Sequence, residues 1–134
     1  MGDIPQSGVR VRRERLTWPW VAWLLLALFI IVGSAGRWSL YEPGQWAPTL
    51  VNPADVARNV ALYVPFGVFG ILALRRRDVR GVLRVTTIAL LLSVAVEALQ
   101  LYTADRVASL TDIASAGVGT VLGASLAAWL WPPR

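Results

Sequence analysis

The chain has no cysteine and no histidine among its 134 residues, and charged side chains make up only 16% of it. The first two absences exclude disulfides, zinc and haem sites built from cysteine or histidine, thiol nucleophiles and Ser-His-Asp triads. Any chemistry therefore rests on carboxylates, arginine, hydroxyls and amides, and no cofactor and no metal are expected. The scarcity of charge, beside 56% hydrophobic residues, excludes an ordinary soluble domain and makes lipid the surrounding solvent. Lysine is absent too, so all 13 basic residues are arginine and the formal charge is +5. Those arginines stand in short runs beside apolar segments, as topology signals do, so no nucleic-acid partner is expected.

What is present is four apolar segments. Leu16 to Gly36 is free of charge for 21 residues, and a bilayer needs about 20. Asn52-Pro53 reads as an N-cap with proline at the first helical position, which starts a second span at Pro53 and carries it to Arg75. The third runs from about Val82 to Tyr102, and the fourth from about Leu110 to Trp131, where Pro132-Pro133 stops it. The expected fold is an all-α integral membrane protein, a bundle of four transmembrane helices. Residues 1–15 have no apolar periodicity and read as a disordered cytoplasmic tail, leaving residues 16–134 as one transmembrane domain.

Ten arginines fall before span one, between spans two and three, or at Arg134; only Arg37, Arg58 and Arg106 fall on the other side. The positive-inside rule then puts both termini in the cytoplasm. Trp18, Trp20, Trp23, Trp129 and Trp131 at the inner ends, and Trp38, Tyr41, Trp46 and Tyr102 near the outer surface, fit interfacial belts. The arginine-rich start and Gly33-Ser34-Ala35-Gly36 also resemble a signal peptide, but the apolar stretch is too long for one, and a retained anchor is expected.

With this topology the polar residues gather at one depth. Glu97 lies roughly 7.5 Å below the outer end of span three, Asp112 is in the first turn of span four, and Asp55, Arg58 and Asn59 occupy the outer turns of span two. On span three Thr86, Ser93, Glu97 and Gln100 share a stripe; on span two Asp55, Asn59 and Tyr63 follow at intervals of four. Asp112, Ser115, Gly119, Gly123 and Ala127 form a small-residue face on span four, suited to close helix contact and to a homo-oligomer through that helix. Gly119 and Gly123, like Tyr63, read as packing, and Pro65-Phe66-Gly67 as a kink that lets span two pack. Asp55 and Asp112 also fit as first-turn caps. Capping does not explain Glu97, because a helix C-terminus disfavours negative charge; its bland explanation is a buried partner for Arg58, Arg106 or Gln100.

The ordered set Asp55-x-x-x-Asn59, Pro65-Phe66-Gly67, Ser93-x-x-x-Glu97-x-x-Gln100, Arg106 and Asp112, with glycines at Gly117, Gly119 and Gly123, resembles the VanZ-like family. The similarity covers about Asn52 to Gly123. It departs at Ala116, where the family typically has asparagine four residues after the aspartate. The resemblance implies a small multi-pass protein of the bacterial cell membrane, linked in some members to lowered susceptibility to the glycopeptide teicoplanin. It implies no settled reaction.

The leading expectation is an outer-leaflet pocket of Asp55, Arg58, Asn59, Glu97, Gln100, Arg106 and Asp112 that binds or modifies a membrane lipid or lipid-linked envelope precursor. Arg58 and Arg106 would hold its phosphate or carboxylate, and Glu97 would accept or donate a proton. A second reading makes Glu97 and Asp112 catalytic acid and base, with Ser93 or Ser109 as a weaker nucleophile candidate. A third is a small transporter or structural membrane subunit, argued from the intramembrane carboxylate.

Overall fold

The computed structural model describes residues 18–34, 53–102 and 109–131. Four helices follow in order, α1 Trp18–Ser34, α2 Pro53–Leu74, α3 Val79–Gln100 and α4 Leu110–Leu130, with no strand among the described residues. Three of them, α2, α3 and α4, are long and apolar enough to cross a membrane. At 17 residues α1 is about 26 Å long, short of the roughly 30 Å hydrocarbon core. The residues that would extend it to the expected 21 lie outside the described ones, as do the N-terminal tail, Asn52 and Pro132-Pro133.

Local chemistry sets the helix starts. Pro53 takes the first position of α2, where its missing N–H would be unsatisfied anyway. Asp78 caps α3, its Oδ1 accepting from the Gly81 amide at 2.9 Å. Ser109 caps α4, its Oγ accepting from the Thr111 amide at 3.2 Å. The third helix thus starts three residues before the expected Val82. Its cap is an exposed aspartate set in a run of arginines, where a boundary drawn from charge alone falls after the run rather than inside it.

The α2–α3 turn is tight. Arg75 ends α2 in the left-handed region at φ 54, with its amide on the Ile71 carbonyl at 3.0 Å. A β-carbon on Gly81 would run into the Arg76 carbonyl, so the turn closes only with glycine at that position. The left-handed conformation costs a residue with a side chain about 1 kcal/mol. Arg75→Gly is therefore expected to raise the thermal midpoint of the purified protein in detergent. A lowered midpoint would show that the Arg75 side chain holds the turn.

The most extensive packing joins α2 and α4, which run parallel. Gly119 lies against Val60 and Tyr63, Gly123 against the Val64 carbonyl, and Gly67 against Thr120 and Ala124, so the contacts advance together along both helices. Between the glycines α4 presents Ala116, Thr120, Ala124 and Ala127, all fully buried. Small residues at these intervals let two backbones approach, which replaces the hydrophobic drive that lipid does not supply. The Gly119 and Gly123 face, read from sequence as a route to a homo-oligomer, is thus occupied by α2 of the same chain. Pro65 sits inside a continuous α2, removing one intrahelical donor beside this contact.

Antiparallel to this pair, α3 packs on α4 and more lightly on α2, while α1 leans on α2. The inward stripe of α3 is Gly81, Val85, Ala89, Ser93, Val96, Glu97 and Gln100. Only Trp23 and Ile30 of α1 are buried, seven residues apart, with Leu26 and Ala27 half-buried between them. Its other side exposes Leu24, Leu25, Leu28, Phe29 and Val32, and α3 and α4 expose Leu91, Val118 and Leu122. Such an outer surface is stable against acyl chains and not against water.

Candidate functional site

The starts of α2 and α4 and the ends of α1 and α3 meet at one end of the bundle. There α3 turns its polar stripe inward: Ser93, Glu97 and Gln100 are each at least 94% buried. An ionisable group so enclosed in an apolar bundle is tolerable only with polar partners. Glu97 has one in the backbone, since its Oε2 accepts from the Ser109 amide at 2.7 Å. Ser109 is the N-cap of α4, so the carboxylate lies where that helix's exposed N–H groups and dipole favour negative charge.

Around Glu97 the other polar groups converge from three helices. The Tyr63 hydroxyl of α2 lies beside Ser93 of α3 and within electrostatic reach of the carboxylates of Glu97 and Asp112. Tyr63 is itself 4% exposed, and its ring is fixed from below. Phe66 packs on it at 5.8 Å between centroids, and Trp23 of α1 packs on Phe66 at 5.3 Å. Tilted aromatic pairs at such spacings add stabilisation beyond their buried area, so the hydroxyl has little freedom to wander. Gln100 points to α1, its Nε2 donating to the Ser34 carbonyl at 3.4 Å. That bond ties the end of α1 to the same end of the bundle.

The positions singled out in the sequence therefore divide. Glu97 and Asp112 are brought together with Tyr63, and Gln100 joins from the next turn. Asn59 is half-buried on α2, whereas Asp55 and Arg58, in the first turns of that helix, are exposed. Arg106 lies outside the described residues. Ala116, where an asparagine is typical, is fully buried in the α2–α4 contact, and its carbonyl accepts from Thr120 Oγ1 at 2.8 Å. The neighbouring Ser115 hydroxyl donates to the Thr111 carbonyl of its own helix at 2.6 Å and so does not stand in for the amide.

Two contributors were not recognised as such from sequence. Tyr63 reads as packing in the sequence, although its interval of four from Asn59 puts it on the polar face. The Ser109 amide, a partner of Glu97, carries no side-chain signature at all. A glutamate at the end of one helix caps the beginning of the next, an arrangement that intrahelical capping rules do not anticipate.

Chemically, the cluster offers a buried carboxylate, phenol and serine hydroxyl, with the half-buried carboxylate of Asp112, beside a helix N-terminus. Such a set can accept hydrogen bonds from hydroxyls or amines of a ligand and can move a proton among its members. With its apolar outer surface and buried polar end, the molecule is a polytopic α-helical membrane protein. The VanZ/LLP1 family model matches residues 12–131, nearly the whole chain, and the protein belongs to that family. No curated protein and no solved structure matches it.

Proposed function

We propose that this protein sits in a bacterial cell membrane with both termini cytoplasmic, and that the Glu97 end of the bundle binds a lipid or lipid-linked cell-wall precursor in the outer leaflet. The observation that carries this reading is the gathering of Tyr63, Ser93 and Glu97, all buried, at one end of the bundle, with the half-buried Asp112 within electrostatic reach of Tyr63. Helix packing alone needs no such gathering, because small residues already hold α2 to α4. In this reading Glu97 and Asp112 accept hydrogen bonds from headgroup hydroxyls or amines. Arg58 and Arg106 take the phosphate or carboxylate of the headgroup. The orientation is supported by the ten-to-three division of arginines.

Sequestering a cell-wall precursor is a route to lowered teicoplanin susceptibility. Expression in a susceptible bacterium is expected to raise the inhibitory concentration of teicoplanin, and Glu97→Gln at equal membrane abundance is expected to cancel the rise. A variant as protective as the natural protein would sink the role of the carboxylate.

The proximity of the Tyr63 hydroxyl to two carboxylates favours a second reading, acid-base catalysis on the same lipid. Turnover of a labelled envelope lipid by purified protein, lost in Asp112→Asn, would establish it. Stable binding without turnover would remove it.

A further inference from the structure

The opposite end of the bundle carries a different chemistry. Arg75, Arg76, Arg80 and Arg84 are exposed around the α2–α3 turn, and none of them has an acidic partner among the described residues. The one carboxylate of the turn, Asp78, is engaged with the Gly81 amide as the cap of α3. Asp55, Glu97 and Asp112, the other described acids, belong to the far end. Among the described residues this end therefore keeps its positive charge, and arginine does not shed it by deprotonation.

Where the arginines lie relative to lipid follows from the packing. A β-carbon on Gly70 would meet the Val85 side chain, which sets these two residues of α2 and α3 at one depth. Phe69, next to Gly70, makes an edge contact with Trp18 at 6.0 Å. Gly70 also meets Trp23, five residues further along α1, so Arg84, next to Val85, lies between the levels of Trp18 and Trp23. Trp18, Trp20, Trp129 and Trp131, all exposed, ring this same end. A band of exposed tryptophans marks the headgroup level, so Arg80 is at that level and Arg84, one turn inside it, reaches it with its long side chain.

The stripe continues inward as apolar surface. Arg80, Arg84, Ile88, Leu91 and Ala95 recur at intervals of four, four, three and four, all exposed, so they form one outward line along α3. Two cations at headgroup level above a row of aliphatic side chains complement one molecule in particular, an anionic phospholipid lying along the helix. We infer that this face of α3 is a binding site for such a lipid, its phosphate held by Arg80 and Arg84 with Arg76 above, and its acyl chain on Ile88, Leu91 and Ala95. A topology signal needs only a number of positive charges on one side. The stripe adds their alignment with an acyl-chain track, which that role does not require.

The test is native mass spectrometry of the purified full chain titrated with phosphatidylglycerol or phosphatidylcholine, with Arg80→Gln/Arg84→Gln and Arg80→Lys/Arg84→Lys alongside. At about one order of magnitude or more for two basic side chains, phosphatidylglycerol should bind about tenfold or more tightly than phosphatidylcholine. The glutamine pair should erase the preference, the lysine pair should keep most of it, and millimolar inorganic phosphate should not displace the lipid. Because all these side chains are exposed, the variants are expected to retain the parent's thermal midpoint, measured in parallel. Equal retention of the two lipids would overturn the inference, as would an undiminished preference in the folded glutamine pair. Displacement by inorganic phosphate would replace it with a simple anion site.

Discussion

Gly123→Val is expected to remove folded protein from the membrane. A β-carbon at this position would overlap the Val64 carbonyl, a backbone atom of α2 that cannot rotate aside as a side chain can. Gly67 and Gly119 meet the backbone of the partner helix in the same way, at Thr120 and Val60. The substitution must therefore push α2 and α4 apart along a contact several turns long, separating Ala116, Thr120, Ala124 and Ala127 from their neighbours. Overpacking against a movable side chain costs about 1–3 kcal/mol. Against backbone, in the most extensive interface of the molecule, the cost should exceed the upper end of that range, a large fraction of a marginal stability. Gly33→Ala is the matched control, because a β-carbon there meets nothing within 4 Å. Alanine is also the better helix former by about 1 kcal/mol. Fluorescence-detected size exclusion of the two variants should show a lost or aggregated peak for Gly123→Val and a normal peak for Gly33→Ala. A normal peak for both would mean that the α2–α4 contact is not what holds the fold.

At Glu97 the expected result is a split between two substitutions. Glutamine keeps an oxygen at the distance of the Ser109 amide while removing the charge, so the cap of α4 survives. Alanine removes the acceptor, and a buried amide deprived of its partner costs about 1–3 kcal/mol. Thermal midpoints should therefore rank natural protein and Glu97→Gln close together, with Glu97→Ala clearly lower. Binding should rank differently, with both variants impaired, if the carboxylate meets ligand as proposed. A Glu97→Gln protein as unstable as Glu97→Ala would instead make charge, and not the acceptor, the structural requirement at the start of α4.

Much of the fold was legible because membrane helices announce themselves by length and apolarity, and because Pro53 and Ser109 mark their own helices. The common depth of Glu97, Asp112 and the start of α2 was legible too, since alternating spans bring every second boundary to the same end. Three features were not. The start of α3 was hidden because Asp78, a capping residue, is flanked by arginines that look like loop. The partner of the Gly119 and Gly123 face was hidden because a small-residue stripe says how close another helix comes and not whose helix it is. The Ser109 contact of Glu97 was hidden because it is to a backbone amide, at 2.7 Å, and every residue type but proline supplies one. Of the two arginines expected from sequence as its partners, Arg58 is exposed at the start of α2 and Arg106 lies outside the described residues.

If the buried polar cluster at Glu97 holds a lipid and does more than join α3 to α4, native mass spectrometry should show it in the lipid that co-purifies with the natural protein and with Glu97→Gln, compared where their thermal midpoints agree. An envelope lipid should be retained by the natural protein and lost from Glu97→Gln, while any anionic phospholipid on the α3 arginine stripe stays on both. The same envelope lipid retained at the same occupancy by both proteins would contradict it.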